Sequence, residues 1–131
     1  MERKVGHRLT KVRRSRAVRS QLAAHDIAVP EPRAVNAYLR QHPDLAQLVP
    51  ALCAKARREF GNPTVLSLEL YRDPEIDDSY LTLYVRQENY TPDLLDRIHE
   101  VSAVNEMALA KTSGHFLITT DFRALRNSHD I

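Results

Sequence analysis

Two stretches decide how this chain folds: Thr64-Val65-Leu66-Ser67-Leu68-Glu69-Leu70-Tyr71 and Tyr80-Leu81-Thr82-Leu83-Tyr84-Val85-Arg86. In the first, Leu66, Leu68 and Leu70 fall on one side, and Ser67, Glu69 and Tyr71 on the other. In the second, Leu81, Leu83 and Val85 alternate with Tyr80, Thr82, Tyr84 and Arg86. A period of two is the mark of a strand with one face in a core and one outside it. The polar run Asp73-Pro74-Glu75-Ile76-Asp77-Asp78 between them reads as a hairpin loop, so the two strands are expected to pair antiparallel.

On the N-terminal side the period is helical. Pro32 opens a short helix to about Gln41, with Val35, Tyr38 and Leu39 at helical spacing. His42-Pro43-Asp44 restarts the chain, the acid complementing the positive end of a helix dipole. Leu45, Leu48, Val49, Leu52, Cys53, Ala56 and Phe60 follow in steps of three and four. Pro50 within this run either kinks one helix or divides it in two. Gly61 and Asn62-Pro63 end it. On the C-terminal side, Thr91-Pro92-Asp93 starts a helix expected to reach Ala110 or Lys111. Leu94, Ile98, Val101, Asn105 and Ala108 line one face, with Leu95 and Leu109 alongside. His115–Thr120 reads as a third strand. It can lie parallel to the second through a right-handed crossover, or pair beside the first. The order α-α-β-β-α-β predicts an α+β fold: a small, mostly antiparallel three-stranded sheet with helices on one face.

At 131 residues with 43% hydrophobic content, the chain has enough apolar material for one core. A single cysteine excludes a disulfide framework. No apolar run is long enough for a membrane span, and no apolar segment suited to secretion follows the N-terminal charges, so a cytoplasmic protein is expected. The net charge of +2 hides a division: residues 1–20 hold eight basic residues against one acid, and the remainder eleven against sixteen. The expected organisation is a basic arm over 1–29, flexible or partly helical between about Ser15 and His25, and a single α+β domain over 30–131. The arm is a solvated terminus, a targeting peptide, or a nucleic-acid contact made by Arg8, Lys11, Arg13, Arg14, Arg16 and Arg19, whose charges would release counterions from phosphates.

Candidate sites are few. Tyr71, Tyr80, Tyr84 and Arg86 share the outward sheet face and read first as a surface for a protein partner or a second copy, since Tyr and Arg are enriched in interfaces. An RNA-stacking sheet is a further reading of that face, weakened by Glu69. The acids Glu69, Asp73, Glu75, Asp77 and Asp78 read as a solvated turn, with a divalent-metal enzyme as the alternative. The six histidines lack metal-site spacing, and Cys53 falls on an apolar stripe. No phosphate-binding loop or nucleophile-elbow motif occurs, and neither cofactor nor catalytic residue is expected.

The runs Tyr38-Leu39-Arg40-Gln41-His42-Pro43-Asp44-Leu45, Ala56-Arg57-Arg58-Glu59-Phe60-Gly61, Tyr71-Arg72-Asp73-Pro74-Glu75, Leu83-Tyr84-Val85-Arg86 and Thr119-Thr120-Asp121-Phe122-Arg123 resemble a family of small bacterial proteins of unassigned function. The likeness covers residues 32–123. It brings no catalytic residues and implies a protein partner, as in toxin–antitoxin pairs.

Overall fold

The computed structural model of the protein describes Val18 and residues 20–123. Residues 20–24 are helical (α1) and lead into a two-residue strand, Ile27–Ala28 (β1). Two helices follow, Pro32–Gln41 (α2) and Pro43–Phe60 (α3). The hairpin strands are Val65–Asp73 (β2) and Asp78–Arg86 (β3). Helix Leu94–Ala110 (α4) and strand Phe116–Thr119 (β4) complete the order.

The α+β class is as expected, but the sheet is not the three-stranded, mostly antiparallel one. It has four strands in the order β1-β2-β3-β4. Only β2 and β3 run antiparallel, while β1 joins β2 and β4 joins β3 in parallel, so the sheet is mixed. The third expected strand did have two possible places, and it lies beside β3. The additional strand has a physical reason for escaping notice. Two residues are too few to show a period of two, and Ile27 is placed opposite Leu66 by contacts distant in sequence.

Those contacts come mainly from one side chain. The Arg57 guanidinium donates to the carbonyls of His25 and Asp26 at 3.0 Å each, through Nε and Nη2. Its Nη1 donates to the carbonyls of Gly61 at 3.0 Å and Thr64 at 2.7 Å. A planar fork with five N–H donors suits this work. It ties the end of α3 to the entries of both β1 and β2.

The remaining element boundaries follow local chemistry. Pro50 sits within one continuous α3. That helix ends at Gly61 (φ 62°, ψ −166°), a conformation essentially confined to glycine. The hairpin is tighter than the polar run suggested, because pairing continues to Asp73 opposite Asp78. Asp73 Oδ1 accepts the Glu75 N–H at 2.9 Å and closes the turn.

The core lies between the helices and the apolar side of the sheet. Leu66, Leu68, Leu81, Leu83 and Val85 meet Val35 and Leu39 of α2, Leu45, Val49, Cys53 and Ala56 of α3, and Leu94, Ile98 and Val101 of α4. Leu22 and Ile27 belong to the same cluster. The packed unit therefore begins ahead of Pro30, within the stretch to residue 29 expected to belong to the arm. No helix among the described residues is long and apolar enough to cross a membrane.

Candidate functional site

The strand register assembles the outward sheet face in rows. Ser67, Tyr84 and Thr119 form one row, and Glu69, Thr82 and Leu117 the next. Tyr71 and Tyr80 make a third row, and Val65 and Arg86 a fourth. Strand alternation thus brings all four candidate contact residues, Tyr71, Tyr80, Tyr84 and Arg86, to one face.

They are not equivalent there. Arg86 is buried, at 8% exposure. Its Nη1 lies 3.0 Å from Glu69 Oε2, and Nη2 and Nε lie 2.8 and 3.1 Å from the two oxygens of Asp121. Ser67 Oγ donates to the same Glu69 oxygen at 2.8 Å, and the guanidinium sits 4.7 Å from the centre of the Tyr84 ring. The side chain is a structural tie with two intramolecular counter-charges. The hydrogen bonds from Arg86, reinforced by the Arg123 N–H and opposed by partial burial, hold the Asp121 carboxyl down at about 2. Hydrogen bonds to Asp121 in turn push the Arg86 value up.

The surface available to a partner is carried by the rings. Tyr71 is 46% exposed and stacks with Tyr80, ring centres 6.4 Å apart at 27°. Tyr80 also meets the His115 ring at 5.5 Å. Leu117 in the neighbouring row is 51% exposed. Burial, with Asp78 adding, pushes the Tyr80 phenol above its ordinary value, and burial followed by Glu69 does the same for Tyr84. Both remain neutral hydroxyls around neutral pH, suited to hydrogen bonding and apolar contact rather than to nucleophilic attack.

A polar cluster that sequence spacing does not reveal lies where the end of α2, the hairpin and the α4–β4 loop meet, beside a cleft of about 450 Å³. His42 Nδ1 is 2.9 Å from Ser113 Oγ, and Ser113 Oγ is 2.9 Å from Asp44 Oδ1. The residue types match a nucleophile triad, but the order does not. In a triad the histidine stands between hydroxyl and carboxylate. Here the serine stands in the middle, donating its proton to Asp44 and accepting from His42. Asp44 also accepts the Ser113 N–H and the Leu45 N–H, each at 2.8 Å. The Ser113 N–H is the largest influence holding the Asp44 carboxyl below its usual value. The arrangement is a clasp between the first turn of α3 and the α4–β4 loop. Gly114 allows it, because a Cβ there would stand 2.8 Å from Leu45 Cδ2 and 3.0 Å from His42 Cγ.

The other chemical candidates are dispersed. Burial pushes the Cys53 thiol up to about 12, so it is an inert core residue at neutral pH. The loop acids do not gather. Glu69 faces Arg86, Asp73 closes the turn, and Asp78 accepts the Ser79 N–H at 2.8 Å. Among the described residues no three His, Cys, Asp or Glu side chains come together as a metal site. The arm residues Arg8, Lys11, Arg13, Arg14, Arg16 and Arg19 lie outside the described residues. Compared with protein-family models, curated proteins and solved structures, the chain finds no match.

Proposed function

We propose that this protein is a non-catalytic interaction module that docks a protein partner on the outward face of its sheet, with Tyr71, Tyr80, Tyr84 and Leu117 as the contact. The observation that carries the reading is half-exposed Tyr71 stacked on Tyr80 beside exposed Leu117, on a face where the guanidinium of Arg86 is already paired with Glu69 and Asp121. Rigid aromatics with a hydroxyl at the tip supply contact area at small entropic cost. Glu69 and Asp121 balance Arg86 and Arg123 there, so the face offers phosphate no surplus positive charge and a protein fits it better than a nucleic acid. The partner is expected to present an apolar patch with hydrogen-bond acceptors for the phenols. An antitoxin-like role, with a toxin as that partner, is consistent with this contact.

The test is affinity capture from the native host with the whole chain, comparing the parent with Tyr71→Asp and Leu117→Asp. One protein should be retained by the parent, lost with both variants, and kept by a control substitution on the far helix, Leu95→Asp. Recovery that is indifferent to Tyr71→Asp and Leu117→Asp removes the reading.

The charge division supports a second reading, nucleic-acid contact through the basic arm. Removing residues 1–20 should then abolish binding to duplex DNA, and binding by the intact chain should fall steeply with salt. Unchanged binding after the removal rejects it.

A further inference from the structure

Helix α4 is anchored on one flank and unexpectedly apolar on another. Leu94, Ile98 and Val101 are buried in the core. Arg97 Nε reaches Glu59 Oε1 at 3.1 Å and its guanidinium lies 5.1 Å from the Phe60 ring, while Asn105 Oδ1 accepts from Lys55 Nζ at 3.0 Å. These contacts fix which way the helix turns. They leave Glu100, Val104, Met107 and Lys111 exposed along a single stripe, with Val104 at 73% and Met107 at 79% exposure. The exposed face of a surface helix is ordinarily polar, yet here two large apolar side chains occupy its middle, with Ala103 and Ala108 beside them.

The order along the stripe is acid, apolar, apolar, base, spaced by four, three and four residues. That pattern is self-complementary under a two-fold axis. Turn a second copy about an axis perpendicular to α4, midway between Val104 and Met107. The two helices then run antiparallel, Val104 of each copy meets Met107 of the other, and Glu100 of each meets Lys111 of the other. A contact of this isologous kind closes on itself and leaves neither an unpaired charge nor a like-charge encounter on the stripe. The flanking Ala103 and Ala108 let the helix backbones approach, and Met107 adapts its shape to fill the seam.

We infer that α4 is a homodimerisation surface, occupied by a second copy of this chain in antiparallel register. Three helical turns give a contact at the small end of the range for specific interfaces, so the dimer is expected to form reversibly at micromolar concentration and above. Its central residues Val104 and Met107 lie on α4, whereas Tyr71 and Leu117 lie on β2 and β4.

Sedimentation equilibrium on the full chain, from micromolar to roughly millimolar concentration, tests this. The expected result is a mass rising towards twice that of one chain. Val104→Asp should leave a monomer, with its circular dichroism unchanged because the position is exposed. Glu100→Lys should weaken association about tenfold by placing like charges together, and Lys111→Glu should do the same. The decisive arm is the double variant Glu100→Lys with Lys111→Glu, which restores opposite charges across the axis and should recover the parental association. A chain that stays monomeric throughout overturns the inference, as does a dimer indifferent to Val104→Asp. A double variant no better than either single one overturns the register. Tyr71→Asp should leave the mass profile unchanged, which separates this inference from the partner surface.

Discussion

Arg86 shows how one residue's position changes its meaning. On an outward strand face an arginine reads as a contact residue. The structure gives it two carboxylates and an aromatic ring within its own chain. Removing it would strand Glu69 and Asp121 beside one another, both less than a third exposed through their side chains. Arg86→Met is therefore expected to cost roughly 2 kcal/mol in a urea melt at neutral pH. The same tie makes stability fall in acid. Asp121 is held at about 2 against an ordinary 3.8, so its contribution is full above about pH 4 and disappears as pH falls towards 2. The stability difference between the parent and Asp121→Asn should shrink across that interval. A difference that is constant with pH would show that the Arg86–Asp121 contact contributes nothing in solution.

At the scale of elements, β1 is the instructive piece. Its two residues cannot stand as a strand through their own propensity. They are held because Arg57, a helical residue, offers donors to carbonyls on either side of the sheet's edge. A cation near a helix C-terminus is explained well enough by the dipole, and that explanation conceals the clamp. Arg57→Lys keeps the charge but loses the fork, so it should still destabilise by about 1–2 kcal/mol. Hydrogen exchange is the sharper readout. Amides of 25–28 should lose protection before those of β3, and equal loss everywhere would mean that the clamp is not local. The central hairpin behaves in the opposite way. Its alternation over Leu66–Leu70 and Leu81–Val85 is long enough to be read directly, and its register pairs Leu66 with Val85, Leu68 with Leu83 and Leu70 with Leu81, so these six apolar residues share one face.

At the scale of the whole molecule, a core shared by four helices and all four strands should open as a unit. Cys53 reports on that opening. It is fully buried, and burial pushes its thiol up to about 12, so the reactive thiolate is scarce at pH 8. Labelling by a thiol reagent is expected to be slow in the native state and to accelerate with urea in step with loss of circular dichroism. Rapid labelling of the native protein would mean that α3 detaches without global unfolding.

What was legible in the residues, and what was not, divides along a physical line. Periodicity, proline and glycine act over a few neighbours, so the hairpin, α2, α3, α4, the apolar stripe around Cys53 and the outward placement of Tyr71, Tyr80, Tyr84 and Arg86 could all be read from order alone. Strand β1, the Arg57 clamp, the His42–Ser113–Asp44 clasp and the Arg86–Asp121 tie each join groups far apart along the chain. Their geometry arises only when burial of a common core brings those groups within hydrogen-bonding distance. The same holds for the stripe on α4. Heptad-like spacing says that Glu100, Val104, Met107 and Lys111 share a face, but only packing against α3 and the sheet decides that this face is the one left in water.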